Sequence, residues 1–225
     1  MDRKHEKVLI AIPSGDTMPV MTVSCIMNLQ KAPQDEFRIM TGSLVYNSRT
    51  FLVNDALSEG FTHVLFVDSD MTFPPDTLNR LIQHDKDVVT CICFGRVFPF
   101  NPCAYTRVRK GGAKKSGTRV PITVTNDMPE LFQVDGCGSA MILIKTEVFK
   151  LMYEKIGKWY EPQWNLGEDL AFTERLKALN IPIWCDSTIQ IGHIGQLVCG
   201  RETYFSAVKQ LEQEERSKFY STRCK

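Results

Sequence analysis

Long apolar runs are missing from this chain of 225 residues, of which 43% are hydrophobic and 24% charged. No segment approaches the roughly 18 consecutive apolar residues that a membrane-spanning helix needs. The first apolar run, residues 8–12, follows a terminus with charges of both signs and ends at Pro13, too early for the hydrophobic region of a signal peptide. We therefore expect a cytoplasmic protein with no transmembrane segment.

An excess of charge of one sign is also missing. The chain has 27 lysine and arginine residues against 26 aspartate and glutamate residues, which leaves a formal net charge of +1. The overall charge therefore favours neither a nucleic acid nor a membrane as partner, and any basic patch must be local.

Because the composition is that of an ordinary globular protein and no repeat or linker is visible, we expect one domain over residues 1–225.

Cysteines with the spacing of metal ligands are absent, although the chain has eight cysteines. No Cys-x-x-Cys pair occurs, and Cys91 and Cys93 would share one face of a strand, which is typical of packing. Since no export signal is seen, we expect reduced cysteines that lie mostly in the core. This pattern argues against a cysteine-bound zinc site and against a framework of disulfides.

Short apolar runs alternate with helical patterns along the chain, which is typical of βαβ units and predicts an α/β fold. Strands are predicted at residues 8–12, 37–40, 63–67, 88–93, 132–134, 140–144, 183–185 and 188–191. Helices are predicted at about 47–58, with Asn47 or Ser48 as the cap, at 74–83, from 146 onward, at about 169–179 and over about 200–225.

Acidic residues are absent between Asp87 and Asp127. The same interval holds seven basic residues, namely Arg96, Arg107, Arg109, Lys110, Lys114, Lys115 and Arg119. Its middle part also contains three glycines and a serine, so we predict a mobile basic loop at about residues 107–119.

Two aspartates follow the strongest predicted strand, residues 63–67, in the motif Asp68-Ser69-Asp70. In an open α/β sheet, ligands bind beyond the carboxyl ends of the strands. Two carboxylates two residues apart can hold a divalent cation that also accepts phosphate oxygens. The alternative is that Asp68 caps the following turn and Asp70 is simply solvated.

Two further polar positions fall at the same edge of the predicted sheet. His193 lies between glycines just after a short predicted strand, where it could be an additional metal ligand or an ordinary turn histidine. Glu168 and Asp169 follow Gly167 and open a helix. One of these carboxylates could cap the helix while the other faces the crevice as a general base.

Taken in order, these motifs resemble the GT-A fold nucleotide-sugar glycosyltransferases, and most of all their small, family 2-like members from bacteria and phages. The resemblance extends over roughly residues 8–200. It rests on Pro13-Ser14 after the first strand, Arg49 on an early helix, residues 66–71 (FVDSDM), 136–140 (GCGSA), 167–172 (GEDLAF) and 191–195 (IGHIG).

The resemblance implies a Rossmann-like mixed sheet flanked by helices and a transfer of sugar from a nucleotide-diphosphate sugar to an acceptor hydroxyl. Asp68 and Asp70 would bind Mn²⁺ or Mg²⁺, with Asp70 the likelier direct ligand, and His193 would complete the metal site. Asp169, beside Glu168, would be the catalytic base. Such a carboxylate base favours inversion at the anomeric carbon.

The remaining site residues also follow from the resemblance. The donor nucleotide-sugar would contact Pro13, Ser14, Asn47, Arg49 and the motif that includes Ser69. The sugar or acceptor would lie against a glycine turn formed by Gly136, Cys137 and Gly138, where small residues permit close approach of the backbone. Trp159, Tyr160 and Trp164 form either an acceptor platform or a packed aromatic cluster.

Several alternatives stay open at this level. The acceptor could be a glycan, a lipid-linked sugar, a protein or hydroxymethylated bases of phage DNA, and the basic loop could be a solvated insertion, a lid or a guide for an anionic acceptor. No counterpart of the nucleobase-binding acid of many relatives is found near Thr41, so the identity of the donor nucleotide is open.

The alternative to an enzyme is a non-catalytic scaffold that binds a nucleotide-sugar. A nucleotidyltransferase is disfavoured because a Gly-x-Gly-Thr-Arg element does not follow the first strand.

Overall fold

The computed structural model describes residues 5–108, 118–195 and 198–223, with side chains up to residue 213. Within these ranges the helices are α1 (Val20–Asn28), α2 (Val45–Ser58), α3 (Thr77–Gln83), α4 (Thr146–Ile156), α5 (Glu168–Ala178) and α6 (Arg201–Arg223). The strands are β1 (Val8–Pro13), β2 (Glu36–Met40), β3 (His63–Val67), β4 (Met71–Thr72), β5 (Val88–Cys91), β6 (Ala104–Val108), β7 (Thr118–Pro121), β8 (Leu131–Val134), β9 (Gly136–Cys137), β10 (Met141–Lys145), β11 (Ile183–Asp186), β12 (Gly192–Ile194) and β13 (Val198–Cys199).

Seven strands form a mixed central sheet in the order β2-β1-β3-β10-β5-β11-β8. Strands β2, β1 and β3 are parallel, β10 is antiparallel to both β3 and β5, and β11 is parallel to β5. Five strands therefore run in one direction, and their carboxyl ends share one edge of the sheet. The sheet is flanked by helices, so the predicted α/β, Rossmann-like mixed-sheet fold is confirmed.

Two hydrophobic clusters cover the two faces of this sheet. Leu9 and Ala11 of β1 belong to one cluster, and Ile10 and Ile12 belong to the other, as the alternation of side chains along a strand requires. The first cluster includes residues of α2, α4 and α5, such as Phe149, and the second includes residues of α3. Because both faces are buried, the central strands read as continuous apolar runs.

Two small sheets extend the carboxyl edge. Strand β12 pairs with β4, which follows the Asp68-Ser69-Asp70 motif, and with β13. The amide of Ile194 donates to the carbonyl oxygen of Asp70 at 2.8 Å, so this pairing brings the neighbourhood of His193 to the motif. Strand β6 pairs with both β7 and β9.

Several predicted boundaries differ from the observed ones. Helix α2 begins at Val45 with Leu44 as its N-cap, so the prediction that Asn47 or Ser48 caps it is wrong. Residues 188–191 do not form a strand, because Asp186 Oδ1 accepts from the amides of Thr188 and Ile189 and turns the chain there. The strand comes later, at Gly192–Ile194.

The predicted basic loop at 107–119 is only partly described. Its ends belong to strands β6 and β7, in which Arg107 lies opposite Arg119, while residues 109–117 lie outside the described residues. Both arginines donate to Glu174 of α5, so the paired strands are tied to that helix.

The C-terminal helix predicted at about 200–225 is observed as α6. Across the described part of the chain, no helix combines the length and the apolar character needed to cross a membrane. The described cysteines are all free, as predicted, and five of these seven are buried.

Candidate active site

A cleft of about 270 Å³ opens at the carboxyl ends of β1 and β3. It contains most of the residues predicted to bind the donor or metal, because the turns after these strands and the start of α2 meet there. The lining residues are Pro13, Ser14, Gly15, Ser43, Val45, Ser48, Arg49, Asp68, Ser69, Asp70 and Glu168. Asn47, which was predicted to contact the donor, is not among them.

Asp70 and His193 are brought together although they are 123 positions apart in the sequence. His193 Nε2 lies 3.3 Å from Asp70 Oδ2, and Arg96 Nη1 lies 2.9 Å from the same oxygen. Burial opposes ionisation of Asp70, but the hydrogen bond and charge of protonated His193 and the charge of Arg96 outweigh it and lower the pKa of this carboxyl. Asp70 is therefore a carboxylate at neutral pH.

The tautomer of His193 follows from its other contact. Its Nδ1 lies 2.8 Å from the carbonyl oxygen of Phe94, which can only accept, so Nδ1 carries a proton and donates it. In neutral His193 the lone pair of Nε2 then points toward Asp70 Oδ2. Burial disfavours the imidazolium, but Asp70 and the Phe94 carbonyl outweigh burial and raise the pKa of His193. A cation, either a proton or a metal ion, is thus stabilised between these two atoms.

Asp68 has a different environment from Asp70. Its Oδ1 accepts a hydrogen bond from Arg49 Nη2 at 2.8 Å, and Arg49 is 1% exposed. The guanidinium contacts the rings of Phe66 and Tyr160, at 5.2 and 5.5 Å from their centroids. Arg49 thus forms the floor of the cleft, where it orients Asp68 through a charged hydrogen bond and two cation–π contacts.

Asp169 approaches the same nitrogen of Arg49 that donates to Asp68. Its Oδ1 is 3.8 Å from Arg49 Nη2 and has no hydrogen-bond partner among the described residues. Desolvation by burial, opposed by Arg49 and assisted by the negative charges of Glu168 and Asp68, raises the pKa of Asp169 to about 6. The side chain still keeps 32% exposure, so the carboxylate can reach a ligand. A carboxylate of this kind is suited to accept a proton near neutral pH.

Helix α5 begins without a capping side chain. Gly167 is the N-cap, so the prediction that Glu168 or Asp169 caps the helix is wrong, and both lie in its first turn. Glu168 lines the cleft, and Asp169 faces Arg49. The two acids therefore stay available to ligands, and their charges suit the positive end of the helix dipole.

Residues Gly136 and Cys137 form strand β9 and not the predicted turn, because they pair with β6. Cys137 is 1% exposed and packs into the core, so it cannot contact a substrate. Gly136 permits a close approach to α5, because a Cβ there would lie 3.3 Å from Thr173 Oγ1, whereas a Cβ on Gly138 would be in ordinary contact with Asp169 Oδ2 at 3.8 Å.

The aromatic residues before α5, for which a platform and a packed cluster were the two alternatives, do not form a platform. Trp159 is 5% exposed and Tyr160 is fully buried, where Tyr160 stacks on Phe172 at 4.3 Å between ring centroids. Trp164 stands alone with 91% exposure. The packed-cluster alternative is therefore right for the first two residues, and only Trp164 is accessible to an acceptor.

Arg96 is the main contributor that the sequence analysis missed as a site residue. It follows Gly95 shortly after β5, whose carboxyl end lies at the same sheet edge as that of β3. Its position after a buried strand indicates a residue at the ligand-binding edge of the sheet, but in the sequence Arg96 stands out only as one of the basic residues between Asp87 and Asp127. Ser43 of the cleft lining carried no comparable signal.

No cluster of three or more His, Cys, Asp or Glu side chains arranged to hold a metal ion occurs in the described ranges 5–108, 118–195 and 198–213. Asp70 and His193 nevertheless form a convergent pair. Two ligands on one octahedral Mg²⁺-type ion, each at about 2.1 Å, lie about 3 Å apart, which is close to the separation of these atoms. The pair fits a cation that takes its other ligands from substrate phosphates and water.

Comparison with known proteins does not assign this chain to a family. No family model matches the chain, and no curated protein matches its sequence. Among solved structures, A197 from STIV is similar, with a TM-score of 0.55 and 18% sequence identity over 84% of this chain and 86% of that chain. At this identity the likeness shows that the two proteins share a fold across most of their lengths.

Proposed function

We propose that this protein is a metal-dependent glycosyltransferase that moves a sugar from a nucleotide-diphosphate sugar to an acceptor hydroxyl. The observation that carries the proposal is that Asp70 lies beside His193, while Asp68, two residues from Asp70, and Asp169 both approach buried Arg49. One pair is suited to a divalent cation, and the other carboxylate is suited to a proton. A nucleotide-binding module would need no such base.

Asp70 and His193 would hold Mn²⁺ or Mg²⁺, and Asp68 lies two residues away at the wall of the same cleft. When bound, the ion would neutralise charge that develops on a leaving diphosphate. The second contact of His193, from Nδ1 to the Phe94 carbonyl, fixes the ring so that Nε2 stays directed at the site, as is common for metal-binding histidines.

The donor would lie over the turn after β1 and the start of α2. Pro13, Ser14 and Gly15 present backbone and a small hydroxyl there, and Ser43 and Ser48 add two further hydroxyls. The dimensions of the cleft, about 270 Å³, suit a nucleoside that enters beside the aspartates. Arg49 is held by Asp68 and the aromatic rings, so we assign it the task of holding Asp68 and Asp169 in place.

Asp169 would accept the proton of the acceptor hydroxyl. Arg49, 3.8 Å away, stabilises its ionised form, while burial keeps the carboxylate basic enough to take a proton near neutral pH. A base that acts directly on the acceptor implies inversion at the anomeric carbon. The cytoplasmic location expected from the sequence belongs to the same proposal.

The experiment is nucleotide release from a panel of UDP-, GDP- and dTDP-sugars, with Mn²⁺ and with EDTA. We expect release from one donor that requires the ion, with water as the acceptor. Asp70→Ala should abolish the Mn²⁺-dependent binding of the nucleotide, since one of the two convergent ligands is lost. If wild-type protein shows neither release nor Mn²⁺-dependent nucleotide binding, the proposal is wrong and a non-catalytic scaffold is favoured.

A further inference from the structure

Arg96 occupies the carboxylate oxygen of Asp70 that a metal ion at this site would need. Its Nη1 donates to Asp70 Oδ2 at 2.9 Å, and this is the oxygen that faces His193 Nε2 at 3.3 Å. A guanidinium and a divalent cation cannot both sit on this oxygen without strong repulsion, because two positive charges would be only a few ångströms apart.

The side chain of Arg96 is exposed enough to move away from Asp70. Its side chain is 53% exposed, whereas that of Arg49 at the same site is 1% exposed and held by several groups. The stem of Arg96 lies beside Gly195, where even a Cβ on the glycine would be in ordinary van der Waals contact with it, at 3.4–3.5 Å. The half-exposed guanidinium reaches Asp70 of the cleft lining, so it lies at the rim of the cleft.

We propose that Arg96 is a displaceable counter-ion, which neutralises Asp70 in the metal-free protein and binds the donor diphosphate once a metal ion takes its place. This inference rests on the proposed function and adds a phosphate-binding residue to it. A planar guanidinium suits phosphate oxygens, which it can contact in a bidentate manner. The rim position keeps Arg96 within one side-chain length of anything bound to Asp70.

Two effects of opposite sign follow for Arg96→Ala. Binding of Mn²⁺ alone should become about two- to fivefold tighter, since an exposed ion pair that competes for Asp70 is gone. Binding of UDP or GDP in the presence of saturating Mn²⁺ should become about tenfold weaker or more, because a charge-assisted contact to phosphate is lost. Arg96→Lys keeps the charge and should retain more of the nucleotide affinity.

The experiment measures Mn²⁺ binding by electron paramagnetic resonance of the free ion and nucleotide binding by calorimetry. Arg38→Ala is the matched control, because Arg38 forms ion pairs with Glu59 and Asp55 away from the cleft and its loss changes the net charge equally. This control should leave both affinities at the wild-type value, which separates a local competition from a general electrostatic effect.

The outcomes separate this inference from the proposed function. Tighter Mn²⁺ binding together with weaker nucleotide binding supports the inference. Unchanged or weaker Mn²⁺ binding in Arg96→Ala, or an unchanged nucleotide affinity, overturns it while the glycosyltransferase proposal stands. If wild-type protein binds neither Mn²⁺ nor nucleotide, the proposed function fails and the role of Arg96 fails with it.

Discussion

Removal of the proton-accepting group at Asp169 is the sharpest test of the chemistry assigned to the cleft. Asp169→Asn keeps the size of the side chain but cannot take a proton, so we expect nucleotide release to fall by about 10²- to 10⁴-fold. Donor binding should be unchanged, because the nucleotide contacts expected at Pro13, Ser14 and Asp70 are retained. The pKa of Asp169 also predicts how the rate of nucleotide release depends on pH.

With a pKa of about 6, the Asp169 carboxyl is mostly ionised at pH 7. Since only the ionised form is a base, activity should decrease as the pH falls through about 6, and about one tenth of the carboxylate remains at pH 5. Arg49 opposes this elevated pKa, whereas the negative charges of Glu168 and Asp68 support it. Glu168→Gln should therefore move the acidic limb of the profile to lower pH while activity at pH 7 is retained to a larger extent than in Asp169→Asn.

The assay is the initial rate of nucleotide release from pH 4.5 to 8, with nucleotide affinity measured for each variant by calorimetry. A full rate in Asp169→Asn would refute the assignment of the base. An acidic limb that persists unchanged in this variant would show that another group sets the pH dependence. A loss of nucleotide affinity equal to the loss of rate would indicate that Asp169 serves binding and not proton transfer.

Two predictions concern the residues that hold this site. Arg49→Met should lower the free energy of unfolding, measured in urea, by about 3 kcal/mol, because it leaves Asp68 and Asp169 without their buried counter-charge. The same change should shift the acidic limb of the activity profile to higher pH. Wild-type stability would contradict the role given to this arginine. Phe149→Ala should cost about 3–5 kcal/mol, because this fully buried ring packs on Trp159 and Phe172. A surface substitution such as Lys150→Ala is its control, and an equal effect in both would argue against the packing.

The strands of the central sheet were predictable because their signal is local. Apolar runs such as residues 63–67 are buried on both faces, so nearly every position in them is hydrophobic. Helix α1 was missed for a related reason: its exposed face carries Val20 and Met27, at 83% and 80% exposure, so it shows no polar stripe. Strand β6 was missed because it lies within an interval whose basic residues and glycines indicate a loop.

The motifs of the site were visible in the sequence, but their partners were not. Asp68 and Asp70 directly follow an apolar strand, Asp169 opens a helix and His193 stands between glycines, and each of these positions is a local property. The separate roles of Asp68 and Asp70 depend on which arginine each one meets. Those contacts, with Arg49 and Arg96, are made by residues 19 and 26 positions away.

The sequence by itself determined the α/β class, the central strands and the set of acids that reach the cleft, since alternation of apolar segments and strand-exit positions are encoded within a few residues. Only the tertiary structure decided the environment of each group. Pairing of β12 with β4 places His193 at Asp70, and burial of Asp169, opposed by the charge of Arg49, sets the pKa of Asp169. Desolvation and long-range contacts are properties of the packed molecule, so no local pattern could specify them.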